Sequence, residues 1–350
     1  MLALNERKMK MSDENIVRFD SAARCTGAHI REALINLPDN IKSVASEIRL
    51  RCGRPLMVTG MFGDVFVSEN GIESYILTEN AVKVSINDME ECFRLVCGYS
   101  VHTHQSSICS GYVTIGGGHR AGIAGTAVNI GGEINAVRDV SSINIRIARQ
   151  FKGIAGDLFE HIKDNLSKSV LIAGPPSSGK TTVLRDLARI LSSEQGGFLK
   201  TVIIDEREEI AACCGGVPQN DIGISSDVIS GYSKGDAVKI ALRSMSPQKI
   251  ILDEIVSDDE VSAIETGLNA GVDFYLSVHA SDEYELIHKS QIIRLMKSGA
   301  FSCVVFLHGN DNPSRIAKII PAGDLIDRID RERDFGCIDN LNRVLCSVSN

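Results

Sequence analysis

One stretch of the chain has the residue types and the spacing needed to bind phosphate. It fits the pattern G-x-x-x-x-G-K-[ST], in which glycines let the backbone turn tightly and successive N–H groups point at phosphate oxygens. A lysine at the position of Lys180 neutralises β- and γ-phosphates, and a hydroxyl at the position of Thr181 is a ligand for Mg²⁺. The stretch consists of Gly174, Pro175, Pro176, Ser177, Ser178, Gly179, Lys180, Thr181 and Thr182. The alternative is a turn rich in glycine and serine that fits the pattern by chance.

The flanks of this stretch favour the phosphate-binding interpretation. Residues 169–173 (SVLIA) form a short apolar run that is typical of a buried strand. Leu184, Leu187, Ala188 and Leu191 then recur at the spacing of an amphipathic helix. A helix that begins at the loop adds a field that attracts anions. The sequence therefore predicts a strand–loop–helix unit with a nucleotide site at the loop.

Two further predicted strands end in carboxylates. Residues 201–204 (TVII) precede the charged run 205–209 (DEREE), and residues 249–252 (KIIL) precede Asp253 and Glu254. Because sites in open α/β sheets form at the carboxyl ends of strands, we expect both groups at the same sheet edge as the loop. Asp253 is expected to hold Mg²⁺, directly or through water, and Glu254 to orient and polarise an attacking water. For residues 205–209 the alternative is a charged helix start at the surface.

A histidine follows a third predicted strand. Residues 273–278 (DFYLSV) are typical of a buried strand, and His279 comes at its end, on the same expected edge. This position favours a histidine that senses γ-phosphate. The alternative is a loop histidine that makes only structural hydrogen bonds.

The N-terminal half has the alternation and glycine punctuation of an α+β domain, which we place at residues 29–155, behind a loose arm at residues 1–28. The run 116–118 (GGG) is a candidate for a second anion loop, but no strand-to-helix context surrounds it, so a hairpin turn is favoured. Arg146 and Arg149 lie on a predicted strand. Their side chains either face phosphate or another subunit, or form a solvated strand face.

Composition limits the classes of function. The net charge of -8 argues against non-specific nucleic-acid binding, which needs a basic surface, although a local basic patch is compatible with it. No apolar run approaches the roughly 20 residues that span a bilayer, and the first residues lack the apolar centre of an export signal. With 10 cysteines, we therefore expect reduced thiols in a cytoplasm rather than a disulfide framework.

The order of these motifs resembles that of the secretion and type IV pilus ATPases. Among their relatives, the chain most resembles the stage III sporulation protein AA family of endospore-forming bacteria. The segments that carry the resemblance are Glu47 to Leu56 (EIRLRCGRPL), Gly111 to Gly125 (GYVTIGGGHRAGIAG), Arg138 to Arg149 (RDVSSINIRIAR), Gly174 to Leu187 (GPPSSGKTTVLRDL), Asp205 to Ile210 (DEREEI) and Ile250 to Ile255 (IILDEI).

The resemblance implies a fold class and a domain order. It implies an α/β protein with a RecA-like P-loop NTPase core at residues 156–322, a smaller N-terminal α+β domain, and a charge-rich C-terminal tail at residues 323–350. It also implies a hexamer that binds ATP at its subunit interfaces. Two departures stand out: secretion ATPases usually have glycine where this chain has Asp253, and they often carry a four-cysteine zinc module that is not visible here.

The resemblance also implies roles for individual residues. Lys180 and Thr181 bind phosphate and Mg²⁺, and Glu254 is the catalytic carboxylate. His279 is implied to be a sensor, and Glu206 and Arg207 match an acidic box that takes part in catalysis. Candidates for arginines that complete the site across an interface are Arg146, Arg149 and Arg243.

The function implied by the resemblance is a Mg²⁺-dependent ATPase that powers or assembles the channel between mother cell and forespore. It is expected in the mother-cell cytoplasm, held at the membrane by the membrane proteins of that channel. Two alternatives remain open. One is a nucleotide-gated scaffold with little hydrolysis, and the other is a P-loop nucleic-acid-binding protein, which the acidic net charge makes the less favoured.

Overall fold

The protein was analysed as a computed structural model that describes residues 2–332, with side chains from residue 12 onward. The chain forms two compact units. Among the described residues, the first unit comprises residues 2–150 and 212–220, and the second comprises residues 151–211 and 221–332. The segment Ala212–Asn220 therefore belongs to the first unit although its neighbours in sequence belong to the second. No local sequence pattern marks this assignment, because the segment is part of an irregular connection between two strands of the second unit.

The first unit is built on an antiparallel sheet of seven strands in the order β4-β3-β2-β1-β7-β6-β5. Alternating side chains of the central strand β1 are buried, as expected when one face of a sheet packs on a core. Ile48, Leu50, Ile143 and Ile145 are fully buried on the paired strands β1 and β7. The strands are β1 (Ala45–Arg51), β2 (Met57–Gly60), β3 (Gly63–Val67), β4 (Glu73–Ser74), β5 (Tyr112–Ile115), β6 (His119–Ile130) and β7 (Glu133–Arg146).

Helices cover the core of the first unit. They are α1 (Leu2–Ala23), α2 (Ala28–Ile35), α3 (Asp39–Lys42), α4 (Ile86–Val96) and α5 (Gln105–Cys109). The loose arm expected at residues 1–28 is therefore wrong for most of its length. Phe19, Ala22 and Ala23 recur at helical spacing and are fully buried, so this end of α1 is part of the core.

The second unit is built on a sheet of seven strands in the order β10-β9-β11-β12-β8-β13-β14. Every neighbouring pair is parallel except β13 with β14, which is antiparallel. All residues of β8, β9 and β11 are buried, as expected for parallel strands that are covered on both faces. The strands are β8 (Ser169–Gly174), β9 (Thr201–Asp205), β10 (Ser226–Ser230), β11 (Lys249–Leu252), β12 (Asp273–His279), β13 (Phe301–Leu307) and β14 (Ile316–Pro321).

The helices of the second unit are α6 (Gly156–Ile162), α7 (Lys180–Leu191), α8 (Lys234–Ser244), α9 (Asp258–Asn269), α10 (Glu283–Ile287) and α11 (Ser290–Lys297). The amphipathic helix predicted after the loop is α7, and its side chains at 184, 187, 188 and 191 are buried as predicted. A capping box begins α9: the Ser257 hydroxyl accepts a hydrogen bond from the Glu260 N–H, and the Glu260 carboxylate accepts one from the Ser257 N–H.

The predicted C-terminal tail at residues 323–350 begins inside the second unit. Residues 322–332 are helical, and Leu325 and Ile329 are buried in the unit's core. The rest of the predicted tail, residues 333–350, lies outside the described residues. Within residues 2–332, no helix is long and apolar enough to cross a membrane.

Candidate nucleotide site

A cavity of about 580 Å³ lies in the second unit, at the carboxyl end of its parallel strands. The strand order explains why distant parts of the sequence meet there: β8 lies beside β12, β12 beside β11, and β11 beside β9. Each of these strands delivers the residues that follow it to one sheet edge. The lining residues are Phe151, Ile154, Ser177, Gly179, Lys180, Thr181, Thr182, Arg207, Glu209, Asp253, Glu254, His279, Pro313 and Ser314.

The loop that ends β8 requires glycine at one position. Gly179 has φ of 87°, in the left-handed region that favours glycine. A Cβ there would lie 2.9 Å from the Ser314 backbone nitrogen and closer still to its hydroxyl. Lys180 then begins α7, so the first turn of the helix faces the cavity. Of the predicted loop residues, Gly174, Pro175, Pro176 and Ser178 do not line the cavity, and Ser178 is fully buried behind it.

The ammonium of Lys180 is buried and directed back at its own loop. Its Nζ donates to the carbonyl oxygens of Gly174 and Pro175 at 2.9 Å each and to Nδ1 of His279 at 3.0 Å. Burial lowers the pKa of Lys180, and the carboxylates of Asp253 and Glu254 partly oppose that shift. The charged amine is thus poorly solvated, and an anion in the cavity would stabilise it.

Asp253 is held by hydroxyl groups from two neighbouring elements. Thr181 Oγ1, on the first turn of α7, donates to Oδ2 of Asp253, and Ser277 Oγ, on β12, donates to Oδ1. Hydroxyl and carboxylate oxygens are the ligands that Mg²⁺ prefers. The side-chain oxygens of Thr181 and Asp253 are therefore suitable ligands for Mg²⁺ at the cavity wall.

The carboxylate of Glu254 is fixed between two side chains. Its Oε1 lies 2.9 Å from Nε2 of His279, and its Oε2 lies 2.7 Å from Nη1 of Arg207. Because Lys180 donates to Nδ1 of His279, that ring nitrogen is an acceptor, and Nε2–H donates to Glu254. The site thus contains a continuous hydrogen-bonded chain from Lys180 through His279 and Glu254 to Arg207.

The backbone of Glu254 is also constrained. Its φ of 55° lies in the left-handed region, which is costly for a residue with a side chain. Its N–H donates to Ser277 Oγ at 2.8 Å, and its carbonyl oxygen accepts from Lys234 Nζ at 2.6 Å. Both peptide groups that flank the Glu254 side chain are therefore tied to neighbouring elements.

The charged run 205–209 contains one structural member, Asp205, and two that line the cavity, Arg207 and Glu209. The Asp205 carboxylate is buried and accepts from the backbone N–H groups of Glu209, Ile210 and Ala211 at 2.8, 3.0 and 2.8 Å. This turn presents Arg207 to the cavity. Glu206 does not line the main cavity. Its carboxylate lies 3.5 Å from Lys234 Nζ, and the residue lines a small adjoining cavity.

The three arginines proposed for a subunit interface lie elsewhere. Arg146 is exposed on β7 of the first unit and lies 3.7 Å from Glu47, while Arg149 donates to the carbonyl of Ala45. Arg243 is exposed near the end of α8 in the second unit. Within the described part of the chain, the cavity lining includes none of the three, so their roles remain predictions.

Some residues of the site were missed from the sequence. Ser277 lies two residues before His279 on the same strand, so the alternation of side chains along a strand was a usable signal. Ser314 and Lys234 carried no such signal, because they reach the site from a loop after β13 and from the start of α8. Phe151 and Ile154 add apolar lining that no motif marked.

Comparison with a solved structure agrees with the fold described above. A pilus retraction motor, PilT, solved with bound ADP, has a TM-score of 0.51 and 16% identity, with 86% of each chain covered. At this identity the likeness shows the fold, which is that of a RecA-like core with an N-terminal domain. An uncharacterized protein, ycf45, of Cyanidium caldarium is 30% identical over 182 residues, which cover 51% of this chain and 52% of that protein.

Similarity to sporulation proteins covers most of the chain. Stage III sporulation protein AA of Bacillus subtilis (strain 168) is 35% identical over 292 residues, which cover 83% of this chain and 91% of that protein. The family model described as sporulation stage III, protein AA, matches residues 18–323. The chain therefore belongs to the sporulation stage III protein AA family.

Proposed function

We propose that the chain is a Mg²⁺-dependent ATPase that binds ATP in the cavity of the second unit and hydrolyses it with the help of Glu254. The observation that carries the proposal is the position of the Glu254 carboxylate. It lies at the cavity wall, hydrogen-bonded to His279, which in turn contacts the loop lysine Lys180. A phosphate held by the loop therefore lies next to a carboxylate that can act on water.

The loop and α7 would bind the phosphates. Lys180 now donates to two carbonyl groups of its own loop, and phosphate oxygens are stronger acceptors for an ammonium. Backbone N–H groups at the start of α7 add donors and a favourable field. Bound phosphate would also relieve the poor solvation that lowers the pKa of Lys180.

Thr181 and Asp253 would hold Mg²⁺, because their oxygens lie together at the cavity wall and suit this ion. When bound, the ion would supply positive charge that offsets negative charge on the phosphates. Ser277 fixes the second oxygen of Asp253, so the carboxylate is oriented before any ligand binds.

Glu254 would orient the attacking water and accept its proton. For this, at least one carboxylate oxygen must be free of its present partner, and both now contact side chains. The γ-phosphate is expected to draw His279 and Arg207 toward itself, since both are hydrogen-bond donors beside the loop. Binding of ATP would thereby release the Glu254 carboxylate for catalysis.

The same contacts support a second candidate, a nucleotide-gated scaffold with little hydrolysis. While Arg207 and His279 both hold Glu254, the carboxylate is poorly placed to act on water. A protein that needs a partner to break these pairs would bind ATP and turn over slowly. Turnover measured with and without membrane partners separates the two candidates.

The wider role that we propose follows from family membership and from the likeness to a motor. The chain would act as a hexamer on the mother-cell side of the channel to the forespore, held at the membrane by the channel's membrane proteins. Measurement of mass in solution with and without ATP and Mg²⁺ tests the assembly. A monomer under all conditions would contradict the hexamer.

The test of the catalytic assignment is Glu254→Gln, which keeps the size of the side chain and removes its basicity. We expect ATP affinity within about threefold of the parent and turnover lower by about 10²- to 10⁴-fold. The control is Glu265→Gln on α9, whose carboxylate pairs with Arg294 away from the cavity and whose loss should leave turnover unchanged. Turnover at the parent rate in Glu254→Gln would show that the assignment is wrong.

A further inference from the structure

Lys234, in the first turn of α8, is a buried lysine beside the candidate site that no motif marked. Only 6% of the residue is exposed. Its Nζ donates to the Glu254 carbonyl at 2.6 Å and lies 3.5 Å from the Glu206 carboxylate and 3.8 Å from the Glu260 carboxylate. The lysine therefore joins three separate elements of the second unit at one point.

This placement of a lysine is costly. A buried ammonium loses its hydration, and the positive end of the α8 dipole lies close to it. Two carboxylates offset this cost because their negative charges lie close to the ammonium. Glu206 follows β9, and Glu260 lies at the start of α9. In return, the ammonium reduces the repulsion between the negative groups that crowd this edge of the sheet.

Lys234 also acts on the conformation of Glu254. The left-handed φ of Glu254 is unfavourable for a residue with a side chain. The hydrogen bond from Lys234 holds its carbonyl group, while Ser277 holds its N–H group. Because the side chain leaves the backbone between these two groups, its direction depends on both hydrogen bonds.

Solvent cannot easily replace the ammonium. The small cavity beside it has a volume of about 20 Å³, enough for about one water molecule. Its lining includes Glu206, Arg207, Lys234, Asp253 and Glu254. A neutral side chain at position 234 would therefore remove the ammonium that lies close to both the Glu206 and the Glu260 carboxylate.

We propose that Lys234 is a positioning residue for ATP hydrolysis, which fixes the direction of the Glu254 side chain and connects it to Glu206. The inference rests on the proposed ATPase function. Lys234 does not line the nucleotide cavity, so it acts through Glu254 rather than on ATP. It also gives Glu206 a defined place in the site, as the partner of Lys234.

The test is Lys234→Met, which keeps the length of the side chain and removes the donor and the charge. We expect kcat to fall by about 10- to 100-fold with KM for ATP within about twofold, since a misdirected catalytic group costs turnover rather than binding. The matched control is Lys249→Met. Lys249 is equally buried on β11, but it pairs with Asp273 and the carbonyl of Leu166, away from the cavity.

The control separates positioning from general destabilisation. Lys249→Met should lower the melting temperature and leave kcat near the parent value, whereas Lys234→Met should lower kcat selectively. If the two variants lose kcat equally, or if Lys234→Met keeps the parent kcat, the positioning role is wrong. A parent protein that does not hydrolyse ATP would instead overturn the proposed function itself.

A second pair of variants decides the matter if Lys234→Met does not fold. Lys234→Arg keeps the charge and the donors, and Lys234→Gln keeps a polar group without charge. The proposal expects Lys234→Arg to retain much more kcat than Lys234→Gln at similar KM. Equal kcat in the two variants would overturn it.

Discussion

The two units each contain a histidine in a hydrogen-bonded network, and the two networks differ in what surrounds them. His119, at the start of β6 in the first unit, is 0% exposed, while the side chain of His279 in the second unit is 40% exposed and lines a cavity. His119 accepts from the Ala148 N–H at Nδ1 and contacts the Ser21 hydroxyl at Nε2. His279 contacts two charged groups, Lys180 and Glu254.

The glycine-rich turns beside these histidines differ in the same way. In the run 116–118, the Gly117 N–H donates to the Gln219 side chain and the Gly117 carbonyl accepts from Arg18, both in the first unit. The favoured hairpin turn is confirmed there, since Ile115 pairs with His119 across it. In the loop from Gly174 to Thr182, by contrast, five residues line a cavity of about 580 Å³.

Sheet type explains the contrast. Antiparallel strands distribute their ends over both edges of a sheet, and the polar groups around His119 pair with other groups of the first unit. Parallel strands bring all their carboxyl ends to one edge, so charged groups of several strands collect there around a cavity. We therefore expect changes around His279 to alter ligand binding and turnover, and changes around His119 to alter stability alone.

The largest effect is expected from Lys180→Ala. The variant loses a charged donor that would make at least two bonds to phosphate, each worth about 1.5 kcal/mol or more, so ATP affinity should fall by about 100-fold or more. The measurement is a titration with a fluorescent ATP analogue. His119→Asn, a change in the first unit, should leave the affinity unchanged. Equal losses in the two variants would contradict the division of roles between the units.

An effect of intermediate size is expected from protonation of His119. Burial, with a smaller contribution from Arg18, lowers the pKa of His119 from 6.5 to about 4. The unfolded chain therefore takes up a proton first as the pH falls. The contribution of neutral His119 to stability is complete above about pH 6.5 and is lost progressively as the pH falls toward 4, with about 2 kcal/mol lost by pH 5.

Urea unfolding followed by circular dichroism at pH 7 and pH 5 measures this loss. In His119→Asn the acceptor for the Ala148 N–H is retained but no group titrates in this range. The variant should be less stable than the parent at pH 7 and should show a smaller fall in unfolding free energy between the two pH values. An identical fall in both proteins would mean that His119 does not carry the pH dependence.

The sequence predicted the second unit better than the first for a physical reason. The loop, Asp253, Glu254 and His279 each follow a continuous apolar run, and parallel topology then brings their positions together. Local patterns thus sufficed to predict that these distant residues lie together at one edge of the sheet. The family resemblance supplied the RecA-like topology that the patterns alone did not define.

What the sequence did not predict depends on long-range contacts. The helix α1 was missed because its only buried described residues lie near its C-terminal end, behind a polar stretch. Lys234 was missed because a single lysine at a helix start gives no sign that its ammonium will reach Glu254. No local sequence pattern indicates that Ala212–Asn220 belongs to the first unit.

The smallest effect on folding is expected from Arg146→Ala. The Arg146 side chain is 68% exposed, and its partner Glu47 also contacts Arg49 at 3.1 Å. An exposed pair of this kind contributes under about 0.5 kcal/mol, so the unfolding free energy should barely change. If Arg146 completes the site of a neighbouring subunit, turnover of the assembled protein should nevertheless fall several-fold. Arg49→Ala, which removes another charged partner of Glu47, is the matched control and should retain turnover. Equal turnover in both variants and the parent would remove Arg146 from the interface candidates.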